Sequence, residues 1–147
     1  MAFHFPLKPI LRLRHSLEER ERLRLAMIIN RINQLSRQGE QLAHERKQGG
    51  ERIASNLATG MRAGELLLER SRLAAIDQTQ KALAEHKAEV EQQRSGQEQA
   101  LREAQRNRKT LENLRDHKFE LYRLEQERRN QQRVDDLFGL RRVNSEQ

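Results

Sequence analysis

Residues 73–111 read LAAIDQTQKALAEHKAEVEQQRSGQEQALREAQRNRKTL, and the fold turns on their spacing. Leu73, Ile76, Leu83, Val90, Leu101, Ala104 and Leu111 fall on one track of alternating three- and four-residue steps. That period keeps a single narrow stripe of a helix turned toward a partner helix, the pattern of a two-stranded coiled-coil seam. Five slots on the same track are polar, namely Gln80, Lys87, Arg94, Gln97 and Arg108. Polar seam residues lower stability while fixing register, so the expected pairing is marginal and flexible.

The partner lies upstream. Leu25, Ile28, Ile32, Leu35 and Leu42 repeat the three-and-four spacing, and Ile53, Leu57 and Met61 continue it at fours. Gly39, Gly49 and Gly50 interrupt that stretch, each at a cost of up to ~1 kcal/mol relative to Ala, so this helix is expected to be weak or bent around them. Pro9 suits a first helical turn, where its missing N–H has no intrahelical role. Gly60 and Gly64 flank a reversal at about 59–65,. Downstream, the apolar stripe is expected to step from Leu111 to Leu114 and Leu121, with Phe119, Tyr122 and Leu124 beside it, and to end near Phe138 with Gly139 as the stop,. The predicted fold is therefore all-α, a single long antiparallel two-helix coiled-coil hairpin: helix 1 about 9–58, turn about 59–65, helix 2 about 66–138, and a polar tail 139–147. The second helix then outruns the first by roughly 20 residues, about 30 Å at 1.5 Å per residue.

Composition agrees with a thin architecture. Of 147 residues, 35% are charged and 35% hydrophobic with 3% aromatic, and the mean hydropathy is −1.03, too polar for a thick core. Only two residues are Pro, while Leu, Ala, Glu, Gln and Arg dominate, which separates a helical rod from a disordered chain,. There is no cysteine and hence no disulfide framework, which fits a reducing cytoplasm,. The apolar start MAFHFPLKPILRLR is broken by Pro6 and Pro9 and followed by Arg12 and Arg14, so it does not read as a secretory signal,. No stretch approaches the ~20 apolar residues of a membrane span, and no membrane insertion is expected.

Catalysis needs groups converging in a pocket, which a two-helix rod does not offer, so no enzyme is expected. No phosphate-binding loop is present, since Gly49 and Gly50 lack a preceding strand and the GxxxxGK spacing,. His4, His15, His44, His86 and His117 are never three or four apart, so neither a metal nor any other cofactor is expected,. The net charge of +7 raises nucleic acid as a partner,. Against it, the positives alternate with negatives, as in RDHKFELYRLEQERR, which reads as a solvated face laced with pairs such as Glu112 with Arg115 and Glu125 with Arg129,. Phe119 and Tyr122 are the only aromatic pair available for stacking there, so a nucleic-acid-binding coiled coil stands as an alternative reading only,.

The two ends carry more specific information. Phe3, Phe5, Leu7, Ile10, Leu11, Leu13 and Arg14 match the amino-terminal run of the FliJ family, and the chain resembles that family again at RNRKTLENLRDHKFELYRLEQERRNQQRVDDL. There Arg108, Lys109, Leu111, Glu112, Leu114, Tyr122, Glu127, Gln132 and Asp135 fall on its carboxyl signature, with Val134 and Asp136 as mild departures from Leu and Glu. The resemblance implies a non-catalytic, cytoplasmic component of the flagellar type III protein export apparatus, associated peripherally with the membrane at the flagellar base. It implies a hairpin like the central stalk of rotary ATPases, with the export ATPase hexamer, the cytoplasmic domain of the membrane export gate and the export chaperones as partners. A stalk of a virulence-type secretion system is the nearby alternative.

By that likeness the open end of the hairpin enters the ATPase ring. Its expected contacts are Arg12, Arg14 and Glu18 on the first helix and Arg128, Arg129, Arg133, Asp135 and Asp136 on the second. The gate is expected to meet Leu73, Ile76, Leu83 and His86. Phe3, Phe5 and Leu7 either fold back on Leu114, Phe119 and Tyr122 or dock on another protein.

Overall fold

The computed structural model describes residues 2–145, with side chains described through Leu140. Two helices account for nearly all of it, α1 at Lys8–Thr59 and α2 at Ala63–Ser145, packed against each other as an all-α antiparallel hairpin. Pro6 and Leu7 form a turn closed by the Lys8 N–H donating to the Phe5 carbonyl at 3.1 Å, which places Pro9 in the first turn of α1. There its fixed φ costs nothing.

The reversal is tighter than the glycine pair suggests. Only Gly60, Met61 and Arg62 lie between the helices. Gly60 takes φ of +93°, the left-handed conformation that ends a helix and that a side chain resists,. Gly64 is not part of the turn, because α2 has already begun. Glu65 sets that start: its carboxylate accepts from the Arg62 N–H at 3.4 Å, closing the first turn back on the residue that caps it,. At the far end Gly139 does not stop α2, which continues to Ser145. A lone glycine costs a helix only about 1 kcal/mol, too little to end one flanked by Leu137, Phe138 and Leu140,. The rest of the expected polar tail, Glu146 and Gln147, lies outside the described residues.

The chain divides into two compact units, Met1–Glu19 with Glu103–Gln147, and Arg20–Arg102. In the Arg20–Arg102 unit the core is Ile32, Leu35 and Val90, with Ile28 and Leu83 packed against it. Leu35 is the best shielded, at 2% exposure. On α2 the heptad track of this unit is shielded throughout, at Leu73, Ile76, Gln80, Leu83, Lys87, Val90, Arg94, Gln97 and Leu101, polar slots included, and Leu66, Glu69, Glu98 and Ala100 are half-buried as well. Gln97 makes its polar seam position acceptable by donating to the Glu21 carbonyl at 3.1 Å and to the Glu21 carboxylate,.

Gly39 and Gly49 also sit in this seam, and their role differs from the weakness their composition suggests. A methyl group on Gly49 would come within 2.7 Å of Leu73 Cδ2, and one on Gly39 within 3.6 Å of Leu83 Cδ2. The missing side chains let the leucines of α2 reach the backbone of α1. Gly50, one residue on, faces open space and has no such purpose.

In the other unit the seam carries Leu11, Glu18, Ala104, Arg108 and Leu111, and on α2 it continues to Arg115 and Tyr122. It does not step to Leu114 and Leu121, which are 37% and 53% exposed. The heptad track simply continues in register, and the tyrosine ring and the arginine stem supply the apolar surface there.

Candidate functional site

The open end is built from three segments: residues 2–7, the first turns of α1, and α2 beyond Arg106. Phe5 and Leu11 are buried, at 6% exposure each, and anchor the segment before α1. Phe3 then meets α2, packing edge-on against Phe119 with ring centroids 5.3 Å apart and 78° between planes, and tilted against Tyr122 at 5.6 Å. Edge-to-face geometry is the favourable one for phenyl rings. The expected fold-back thus uses Phe119 and Tyr122 and leaves Leu114 largely outside it. It answers why an otherwise polar chain starts with Phe, Phe and Leu.

Beneath this clasp lies a charged network that the sequence did not single out. Glu18 is only 4% exposed. Its carboxylate accepts from Arg108 Nε, Arg108 Nη1 donates to Glu112 Oε2 at 2.7 Å, and Glu112 Oε1 lies 3.2 Å from His15 Nε2. The Arg108 pKa is raised above the usual guanidinium value, chiefly by the hydrogen bond to Glu18 and then by that to Glu112, with burial opposing. Glu112 therefore serves Arg108 and His15, while Arg115 turns to Asp116 at 2.8 Å. The other expected pair, Glu125 with Arg129, forms.

This geometry sorts the expected ring contacts. Arg12 is exposed and Arg14 half-buried on α1. Glu18 faces the seam, so its carboxylate is not presented to a partner. Arg128, Arg129, Arg133, Asp135 and Asp136 all lie in 127–140, a stretch of α2 whose every residue is exposed and which neither α1 nor the amino-terminal segment covers. Arg129 is tied to Glu125, and Gln131 Nε2 donates to Asp135 at 3.2 Å. Val134, Leu137, Phe138 and Leu140 add exposed apolar surface to the same stretch.

The expected gate contacts separate as sharply. Leu83 packs on the Ile32–Leu35–Val90 core, Leu73 closes on Gly49, and Ile76 is half-buried on the seam track. Half-buried in the two-helix seam, these three leave little surface for a partner. His86 alone of the four is on the surface, 3.5 Å from Arg31 Nη2 and 3.7 Å from Glu89. Near the turn, the exposed apolar residues are Leu57, Leu67 and Leu68. Leu57 stands on the expected apolar track of α1 between Ile53 and Met61, yet it is 53% exposed, so the stripe is not kept through the last turn of that helix.

A family model described as flagellar FliJ protein matches residues 3–147. The chain belongs to the flagellar FliJ protein family. No curated protein and no solved structure gives a match. Membership carries a flagellar export-related role, and both ends of the chain lie within the matched region. Among the described residues no helix is long and apolar enough to cross a membrane, and no group of side chains has the composition of a metal site.

Proposed function

We propose that this FliJ-family chain is a non-catalytic stalk of the flagellar type III export apparatus, acting in the cytoplasm at the flagellar base. In this reading its open end docks in the hexameric ring of the export ATPase, promotes ring assembly and activity, and connects the ring to the membrane export gate and to export chaperones. The observation that carries it is the bare stretch 127–140 of α2, roughly 20 Å of helix at 1.5 Å per residue, exposed on all sides and carrying both signs of charge,. A helix with no partner in its own chain is an element built to be held by something else. Mixed charges there make many modest contacts, and Val134, Leu137, Phe138 and Leu140 add apolar surface for a partner to cover,.

Arg12, Arg14, Arg128, Arg129, Arg133, Asp135 and Asp136 are the ring contacts in this proposal. Gate contact, if it lies toward the turn, falls on His86 and its surroundings, since Leu73, Ile76 and Leu83 serve the seam. The test is reconstitution with the cognate export ATPase, following ring formation and ATP hydrolysis with and without this chain. Charge reversal at Arg128, Arg129 and Arg133 together should lower ring binding by about tenfold or more, equivalent to roughly 1.4 kcal/mol, with helicity unchanged. Full binding by that variant refutes the contact face, and no binding by the native chain refutes the stalk reading.

A further inference from the structure

The open end also carries a cleft that meets the proposed ring contacts only at Arg12. It has a volume of about 400 Å³, within the usual range for a ligand site,. Phe3, Phe5 and Leu11 form its floor, and Lys8, Arg12, His15 and Arg115 form its rim. Lys8, Arg12 and His15 recur at four and three residues, so they stand on one face of α1, with Arg115 opposite on α2. Two of the four rim groups are engaged, His15 with Glu112 and Arg115 with Asp116. Lys8 and Arg12 are exposed and, among the described residues, form no ion pair.

An apolar floor beside two uncompensated cations selects a ligand that pairs an apolar group with carboxylates. We infer that this cleft is a binding site for a short acidic peptide segment of a partner protein, one in which Glu or Asp flanks a large apolar side chain. The apolar side chain enters over Phe5 and Leu11, and the carboxylates meet Lys8 and Arg12. A nucleotide fits less well, because Phe5 is buried and Phe3 is already engaged with Phe119 and Tyr122,. A lipid surface fits less well because Phe5 and Leu11 are recessed, whereas membrane-binding side chains protrude,. The inference is separate from ring docking. It shares Arg12 with that reading, but its test contains no ATPase.

The probe is a fluorescein-labelled peptide, GSEDLFEDSG, titrated with the full chain at low salt by fluorescence anisotropy. Saturable binding is expected, weakened about tenfold or more in the amide counterpart GSQNLFQNSG, and similarly in GSEDSSEDSG, which lacks the apolar pair. The double variant K8A/R12A should lose binding to the same degree while keeping its circular dichroism, since both residues are exposed. Amide shifts in the native chain should move at residues 3–15 and around Arg115, a readout that does not depend on any variant folding. Equal binding of the amide peptide, shifts elsewhere in the chain, or retention of binding by folded K8A/R12A would overturn the proposal. So would binding of phosphatidylserine vesicles or a fluorescent adenosine nucleotide at this cleft with no binding of the acidic peptide.

Discussion

The three glycines of α1 give a sharp test of how the seam is packed, because the same substitution meets three different surroundings within twelve residues. Replacing Gly with Ala in a helix interior gains up to ~1 kcal/mol from backbone entropy wherever the methyl group fits. At Gly50 nothing lies within 4 Å, so the full gain and nothing else is expected. At Gly39 the methyl would rest 3.6 Å from Leu83 Cδ2, an ordinary van der Waals contact, so the gain is kept and a little burial added,. At Gly49 the methyl would lie 2.7 Å from Leu73 Cδ2 and 3.6 Å from its Cγ, so Leu73 must change rotamer or the helices must separate locally.

Overpacking of that kind costs about 1–3 kcal/mol. The clash is with the flexible end of a side chain, which puts the cost near ~1 kcal/mol and cancels the helix gain. G50A and G39A should therefore exceed G49A in stability by about 1 kcal/mol, or roughly 2–4 °C in Tm at 2–4 °C per kcal/mol. Urea and thermal unfolding followed by far-ultraviolet circular dichroism measure this directly. A G49A variant as stable as G50A would show that Leu73 does not reach the α1 backbone, and the close approach of the helices would be wrong. In an L73A background, which carries its own truncation cost, G49A should show the full helix gain seen for G50A if the contact is the cause.

Leu35→Ala should be the most damaging of the simple truncations, at about 2–5 kcal/mol in urea unfolding, because Leu35 is the best-shielded side chain of a very thin core,. Arg108→Leu should destabilise the open end by taking the guanidinium from buried Glu18, and Glu18→Leu/Arg108→Leu should restore most of the loss; hydrogen exchange of residues 8–19 is the measurement, and a double variant no better than the single would refute the pairing,. The Asp77 pKa is lowered by its hydrogen bond to Arg46, with burial opposing and the Arg46 charge assisting. A carboxylate whose folded pKa is depressed stabilises above its unfolded value of about 3.9 and loses that contribution as pH falls through the folded value. Asp77→Asn should thus flatten the decline in Tm as pH falls below about 4 while changing little at neutral pH, as both partners are well exposed,.

Much of the site was not readable in advance, and particular residues show why. Glu18 and Arg108 are 90 positions apart in sequence, and although Glu18 stands seven residues from both Leu11 and Leu25, the run of charges in HSLEERERLR hides that it and Glu21 turn toward α2 while Glu19 stays exposed. The heptad track continues through Arg115 and Tyr122 at sevens from Leu101 and Arg108, but the apolar Leu114 and Leu121 one residue before each mask it in the sequence. Leu73, Ile76 and Leu83 are legible as seam from their spacing, and half-buried there they keep little surface for the gate contact also expected of them. The cleft between Phe3, Lys8, Arg12 and Arg115 needs the fold-back of residues 2–7, for which the apolar run offered two destinations of comparable merit.

By itself the sequence determined an all-α hairpin, its two helices, the place of the reversal and the seam track of α2, polar slots included. It could do so because helix period, glycine conformation and the lack of apolar residues for a thicker core are local or summed properties of the chain. Only the tertiary structure decided which glycines admit a facing leucine, which carboxylate is buried, which leucines face water, and where α2 loses its cover. Those depend on rotation and register between two helices, and a shift of one residue, 100° about the axis, leaves composition and periodicity unchanged while exchanging every contact.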